Sequence, residues 1–117
     1  MRIEIRGRNT AVTDTLRRHV EERFTTRIGK QVSELAQLEI ELLVEKNPAI
    51  AQDKIAEATL HLKGVTLRAR EASADLMHSV DEVADKLARQ VKRHRYKRRG
   101  RRDAGLKSAP PPSPESA

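Results

Sequence analysis

Residues 54–71 read KIAEATLHLKGVTLRARE, two alternating runs on either side of one glycine. In the second run Val65, Leu67 and Ala69 alternate with Thr66, Arg68 and Arg70. That period of two is the mark of a strand with one buried and one wet face. The first run, KIAEATLHL, forms a strand of its own. Lys63-Gly64 leaves a two-residue link, with glycine where a tight hairpin often needs a positive φ. Upstream, residues 35–46 read LAQLEIELLVEK. They place Leu38, Ile40, Leu42 and Val44 on one face and Glu39, Glu41 and Glu45 on the other, so this is a third strand with one wet face. Asn47-Pro48 is a turn signal that breaks it. These three strands make an antiparallel meander.

The N-terminal RIEIRGR alternates as well, with Ile3 and Ile5 opposite Arg2, Glu4 and Arg6; it is a strand ending near Gly7. A helix follows over about 14–28, because Leu16, Val20, Phe24 and Ile28 recur every four residues. Thr13 or Asp14 caps its start and Gly29 stops it. Beyond the meander the period changes again. Leu76, Val80, Val83, Ala84, Leu87 and Val91 fall at spacings of three and four, which predicts a second helix from about Asp75, capped by Ser73 or Asp75. The apolar stripe stops at Val91, but nothing breaks the helix before Gly100. The expected fold is α+β with order β-α-β-β-β-α: a four-stranded mixed sheet, strand one parallel to a neighbour, and two helices packed on one face. Residues 1–99 form one domain, with a basic C-terminal helix over about 75–99. Residues 100–117 are basic and then rich in proline, serine and alanine (SAPPPSPESA), a disordered tail.

The chain has 117 residues and no cysteine, which excludes disulfides, thiolate metal sites and thiol nucleophiles. That suits a cytoplasmic protein. Phe24 and Tyr96 are the only aromatics, so the core is aliphatic. No apolar run approaches the roughly 20 residues of a membrane span, and the charged N-terminus is no signal peptide.

The net charge of +7 is unevenly placed. Residues 1–85 carry a net −2, residues 103–117 a net −1, and residues 86–102 a net +10, with ten Lys or Arg and no carboxylate. Seven of those ten are arginine, the better fork for phosphate. Such density is costly by self-repulsion unless an anion is present, so it points to a nucleic-acid partner. A membrane-surface helix would need large apolar residues on its other face, and residues 92–102 offer Tyr96 alone. The strands lack the exposed aromatics of a single-strand stacking platform. Charge therefore leads as far as a structured nucleic-acid backbone.

Catalysis and metal binding have weaker support. His19, His61, His78 and His94 are scattered without the spacing of a metal-binding helix face. His94 instead adds a hydrogen bond or partial charge to the cationic run. Asp81 and Asp85 share one face of the second helix, as an acid-base pair could. The structural alternative is stronger: they offset the helix dipole, and Asp85 stands four residues before Arg89, a helical ion-pair spacing. No hydroxyl has a base and an orienting group nearby, and the isolated glycines form no phosphate-cradling loop. Neither catalytic residues, a metal nor a cofactor is expected.

Two segments resemble the ribosome hibernation-promoting factor family, which includes the short ribosome-associated translation inhibitor protein Y. IRGRNTAVTDTLRRHVEERF (5–24) matches that family's opening strand, Gly-x-Asn and helix start. DLMHSVDEVADKLARQVKRHR (75–95) matches its second-helix pattern of charge and apolar positions, and ATLHLKG (58–64) also fits. The resemblance spans about residues 1–97. It implies the same β-α-β-β-β-α domain. It also implies a partner, the small ribosomal subunit and its rRNA, bound in the decoding channel in competition with mRNA and tRNA so that idle ribosomes stay silent. The implied rRNA contacts are Lys86, Arg89, Gln90, Lys92, Arg93, Arg95 and Lys97. Weaker candidates are Arg17, Arg18, Arg23 and Arg27 on the first helix, and Arg98 and Arg99. The protein is expected to be a monomer off the ribosome and to have no membrane partner. Met77 stands where the family pattern has tyrosine. Long members continue into a second domain that pairs ribosomes, whereas SAPPPSPESA follows here, which favours the short form. Two alternatives stay open: a generic structured-RNA-binding module, and the N-terminal domain of a long, ribosome-dimerising factor.

Overall fold

The computed structural model describes residues 1–47 and 49–104, with side chains through Arg95. The elements run β1 (Arg2–Arg8), α1 (Asp14–Ile28), β2 (Gln37–Val44), β3 (Lys54–Leu62), β4 (Val65–Ser73) and α2 (Leu76–Ala104). The sheet order is β1-β2-β3-β4. β1 lies parallel to β2, and the other two pairings are antiparallel. This is the expected α+β arrangement.

Register follows from the alternation, because a slip of one residue would turn every apolar side chain outward. Ile5 stands beside Ile40, Ile40 beside Ala58, and Ala58 beside Ala69. The next inward row joins Ile3, Leu38, Leu60 and Leu67. Leu16, Val20, Phe24 and Ile28 of α1 and Val80, Val83, Ala84, Leu87 and Val91 of α2 close over those rows, and together they form one core cluster. Gly64 closes the β3–β4 hairpin at φ 82, as the sequence predicts.

Two local features explain residues of the opening motif. A Cβ on Gly7 would lie 2.4 Å from the Thr10 carbonyl oxygen, so only glycine lets the chain fold back there. Asn9 then takes a positive φ of 58, a conformation asparagine tolerates better than most residues. The chain is thereby aimed into α1, whose start is capped by the Thr13 hydroxyl accepting from the Leu16 N–H at 3.2 Å.

α2 is joined to the sheet by a buried hydroxyl pair. The Ser79 hydroxyl donates to the Lys54 carbonyl at 2.7 Å and lies 2.6 Å from the Ser73 hydroxyl. The Asp75 carbonyl accepts the first helical bond, from the Ser79 N–H at 3.0 Å. Asp75 is therefore the cap, one of the two residues expected.

Some boundaries differ from expectation. Gly29 ends α1 with right-handed torsions, not in the left-handed conformation usual for a glycine stop. α2 passes through Gly100 and runs to Ala104. A glycine costs a helix only about 1 kcal/mol, and the surrounding Lys and Arg are good helix formers. The turn residue Pro48 and the tail from 105 on lie outside the described residues. Among the described residues no helix is long and apolar enough to cross a membrane.

Candidate nucleic-acid interface

The apolar stripe of α2 fixes which way its polar residues point. Val80, Val83, Ala84, Leu87 and Val91 are fully buried. The polar positions between them divide into three groups.

The first group faces β4. Lys86 Nζ lies 3.0 Å from Glu71 Oε2, and Gln90 Nε2 donates to the Arg68 carbonyl at 2.7 Å. These contacts anchor α2 to the outer strand and satisfy a carbonyl on its edge.

The second group faces α1. Asp81 Oδ1 is 2.7 Å from His19 Nε2 and 2.9 Å from Arg23 Nε. Asp85 Oδ1 is 3.0 Å from Arg27 Nη2. This corrects the expected intrahelical pairing of Asp85 with Arg89. Arg23 and Arg27 stand four residues apart on α1, as Asp81 and Asp85 do on α2, so the two ladders meet where the helices pack. The two aspartates thus bridge the helices.

The third group points outward. Arg89, Lys92 and Arg95 are exposed, and Arg93 and His94 are half-buried. Arg89, Lys92 and Arg95 make no ion pair or hydrogen bond among the described residues. They form a cationic ridge with no carboxylate between Asp85 and Asp103. The side chains of Lys97, Arg98 and Arg99 lie outside the described ones, although their backbone continues the helix.

The α1 candidates separate. Arg27 lines a cleft between the helices together with Arg89 and Lys92. Arg18 is exposed. Arg17 lies on the other side of α1 and lines a cleft at the β1 edge with Glu4, Glu39, Glu41 and Glu57. Those four glutamates outnumber Arg6 and Arg17, so the lining of this cleft has the opposite sign. Met77 is half-buried and packs on the core, so its side chain serves the fold. Sequence reasoning missed Gln31 as a wall of the inter-helix cleft; its only signal was the four-residue step from Arg27 across the helix end. Among the described residues no three His, Asp or Glu side chains gather as a metal site.

Comparison with known proteins places the chain in a family. A ribosome hibernation promoting factor of Azotobacter vinelandii is 34% identical over 114 residues, covering 97% of this chain and 100% of that protein. The ribosome hibernation promoting factor of Salmonella typhimurium is 33% identical over 97 residues, covering 83% of this chain and 96% of its own. The chain spans only 53% of a Picosynechococcus ribosome hibernation promotion factor, to which it is 31% identical. The crystal structure of the Thermus thermophilus protein Y N-terminal domain superposes with a TM-score of 0.67 at 30% identity, covering 80% of this chain and 99% of that one. The profile of the family described as sigma 54 modulation protein / S30EA ribosomal protein matches residues 3–99, and the chain belongs to that family.

Proposed function

We propose that this protein is a ribosome hibernation factor. It binds the small ribosomal subunit through ribosomal RNA and lies in the decoding channel, where messenger and transfer RNA otherwise sit. Inhibition is steric: the folded body fills the channel, and no bond is made or broken. The protein acts in the cytoplasm as a binding protein, not an enzyme.

The observation that carries this reading is the outward ridge of Arg89, Lys92 and Arg95, unpaired among the described residues on a helix anchored to the sheet. A rigid row of cations meets phosphates without first breaking ion pairs of its own. α2 has 29 residues, so it extends about 43 Å at 1.5 Å per residue, long enough to follow an RNA backbone. The names of the relatives supply the ribosome as partner. Arg93, Lys97, Arg98 and Arg99 extend the proposed contact. Lys86 and Gln90 contribute by holding α2 in place.

A second reading has one specific observation behind it. The chain covers about half of the Picosynechococcus relative, which supports reading it as the N-terminal domain of a long, ribosome-dimerising hibernation factor.

Sedimentation of the purified protein with ribosomal subunits tests the proposal. It should travel with the small subunit and be released by added messenger and transfer RNA. Protein that stays at the top of the gradient yet shifts free duplex RNA is a generic RNA binder. A new peak of paired ribosomes would favour the second reading.

A further inference from the structure

One cleft gathers cations from both helices. It is lined by Arg27, Gln31, Asp85, Ala88, Arg89 and Lys92 and has a volume of about 350 Å³. Arg27 comes from the last turn of α1. Arg89 and Lys92 stand three residues apart on α2 and share a face. Ala88 packs against the core and, being small, leaves the space between them open.

We propose that this cleft holds a single phosphate of the RNA backbone, with Arg27, Arg89 and Lys92 as its ligands. The inference rests on the proposed RNA binding and narrows it to one built site. Three cations and one carboxylate converge there, which leaves an excess of positive charge unless an anion enters. Asp85 Oδ1 lies 3.0 Å from Arg27 Nη2, an ion pair at one end of the guanidinium. A guanidinium has five donors in a planar fork, so its remaining edge is free for a phosphate while the carboxylate keeps it in place. Asp85 is thus a positioning residue. Gln31 Nε2 donates to the Arg27 carbonyl at 3.2 Å, which fixes the α1 wall of the cleft. Arg89 and Lys92 have no competing partner among the described residues. The cleft at the β1 edge is the contrast: there Arg17 and Arg6 stand among four glutamates, an arrangement that repels phosphate.

The test is a set of double-mutant cycles on the full chain, read as affinity for purified small ribosomal subunits at one fixed salt concentration. Arg89→Ala and Lys92→Ala should each weaken binding about tenfold. Because both hold the same phosphate, the double variant should fall well short of the roughly hundredfold loss of independent contacts. Arg89→Ala with Arg95→Ala should reach that hundredfold loss, since Arg95 lies outside the cleft. Arg27→Ala should couple to Arg89→Ala in the same way; because it also removes a partner of Asp85, the Arg89–Lys92 cycle is the deciding one. Additive losses at Arg89 and Lys92, or a silent Arg89→Ala, with wild-type binding intact, overturn the cleft alone. Absence of wild-type binding overturns the functional reading and the cleft together.

Discussion

At the residue scale, the sequence motif around Gly7 and Asn9 has a backbone cause. Gly7→Ala places a Cβ 2.4 Å from a carbonyl oxygen. We expect a loss of about 1–3 kcal/mol, read by urea unfolding. Gly64→Ala meets nothing within 4 Å and is strained only by its φ of 82, so it should cost about 1–2 kcal/mol. An unchanged urea midpoint for Gly7→Ala would show that the chain can fold back without a glycine there. Asp81 and Asp85 were legible as structural carboxylates, but their partners were not. An i to i+4 spacing is visible in a sequence; a partner 62 residues away depends on how two helices pack, which periodicity does not encode. Asp81→Ala removes both the His19 and Arg23 contacts. All three side chains are partly exposed, so solvent screening limits the loss to about 1 kcal/mol, a fall in Tm of roughly 4 °C. A Tm equal to wild type would mean that the bridge contributes nothing.

At the scale of elements, all four strands and both helices were legible, because periods of two and of about four alternate cleanly along the chain. The Gly100 stop was not, since a helix interrupted by one glycine among good helix formers continues at small cost. α2 combines two tasks on separate faces, and the two should separate by mutation. Leu87 is fully buried beneath α2. Leu87→Ala should therefore lose about 2–5 kcal/mol of stability, measured by thermal unfolding, and weaken ribosome binding as a consequence. Arg95→Ala should leave the Tm within about 1 °C and still weaken binding, because the side chain is exposed and surface substitutions of this kind rarely alter stability. If Arg95→Ala instead unfolded the protein while binding survived, the division of faces would be wrong.

At the scale of the whole molecule, charge is separated. The outer sheet face and β1 edge carry Glu4, Glu39, Glu41 and Glu57 among arginines, while α2 carries the surplus of positive charge. A polyanion is drawn to α2 first, because the positive surplus lies there and the outer sheet face is close to balanced, so the field orients the protein during encounter. The sequence showed where the surplus lies along the chain. It did not show that Lys86 and Gln90 turn to β4, or that Arg17 and Arg27 line clefts of opposite character, because those outcomes depend on the angular position of each residue around a packed helix. The central claim is that α2 binds ribosomal RNA through its phosphates. The most direct test is the affinity for small ribosomal subunits across a range of salt concentrations. If about half of the ten cations in residues 86–102 meet phosphates, the log–log slope should be about −4, and should lose about one unit for each contacting cation replaced by alanine. A slope near zero would contradict the account.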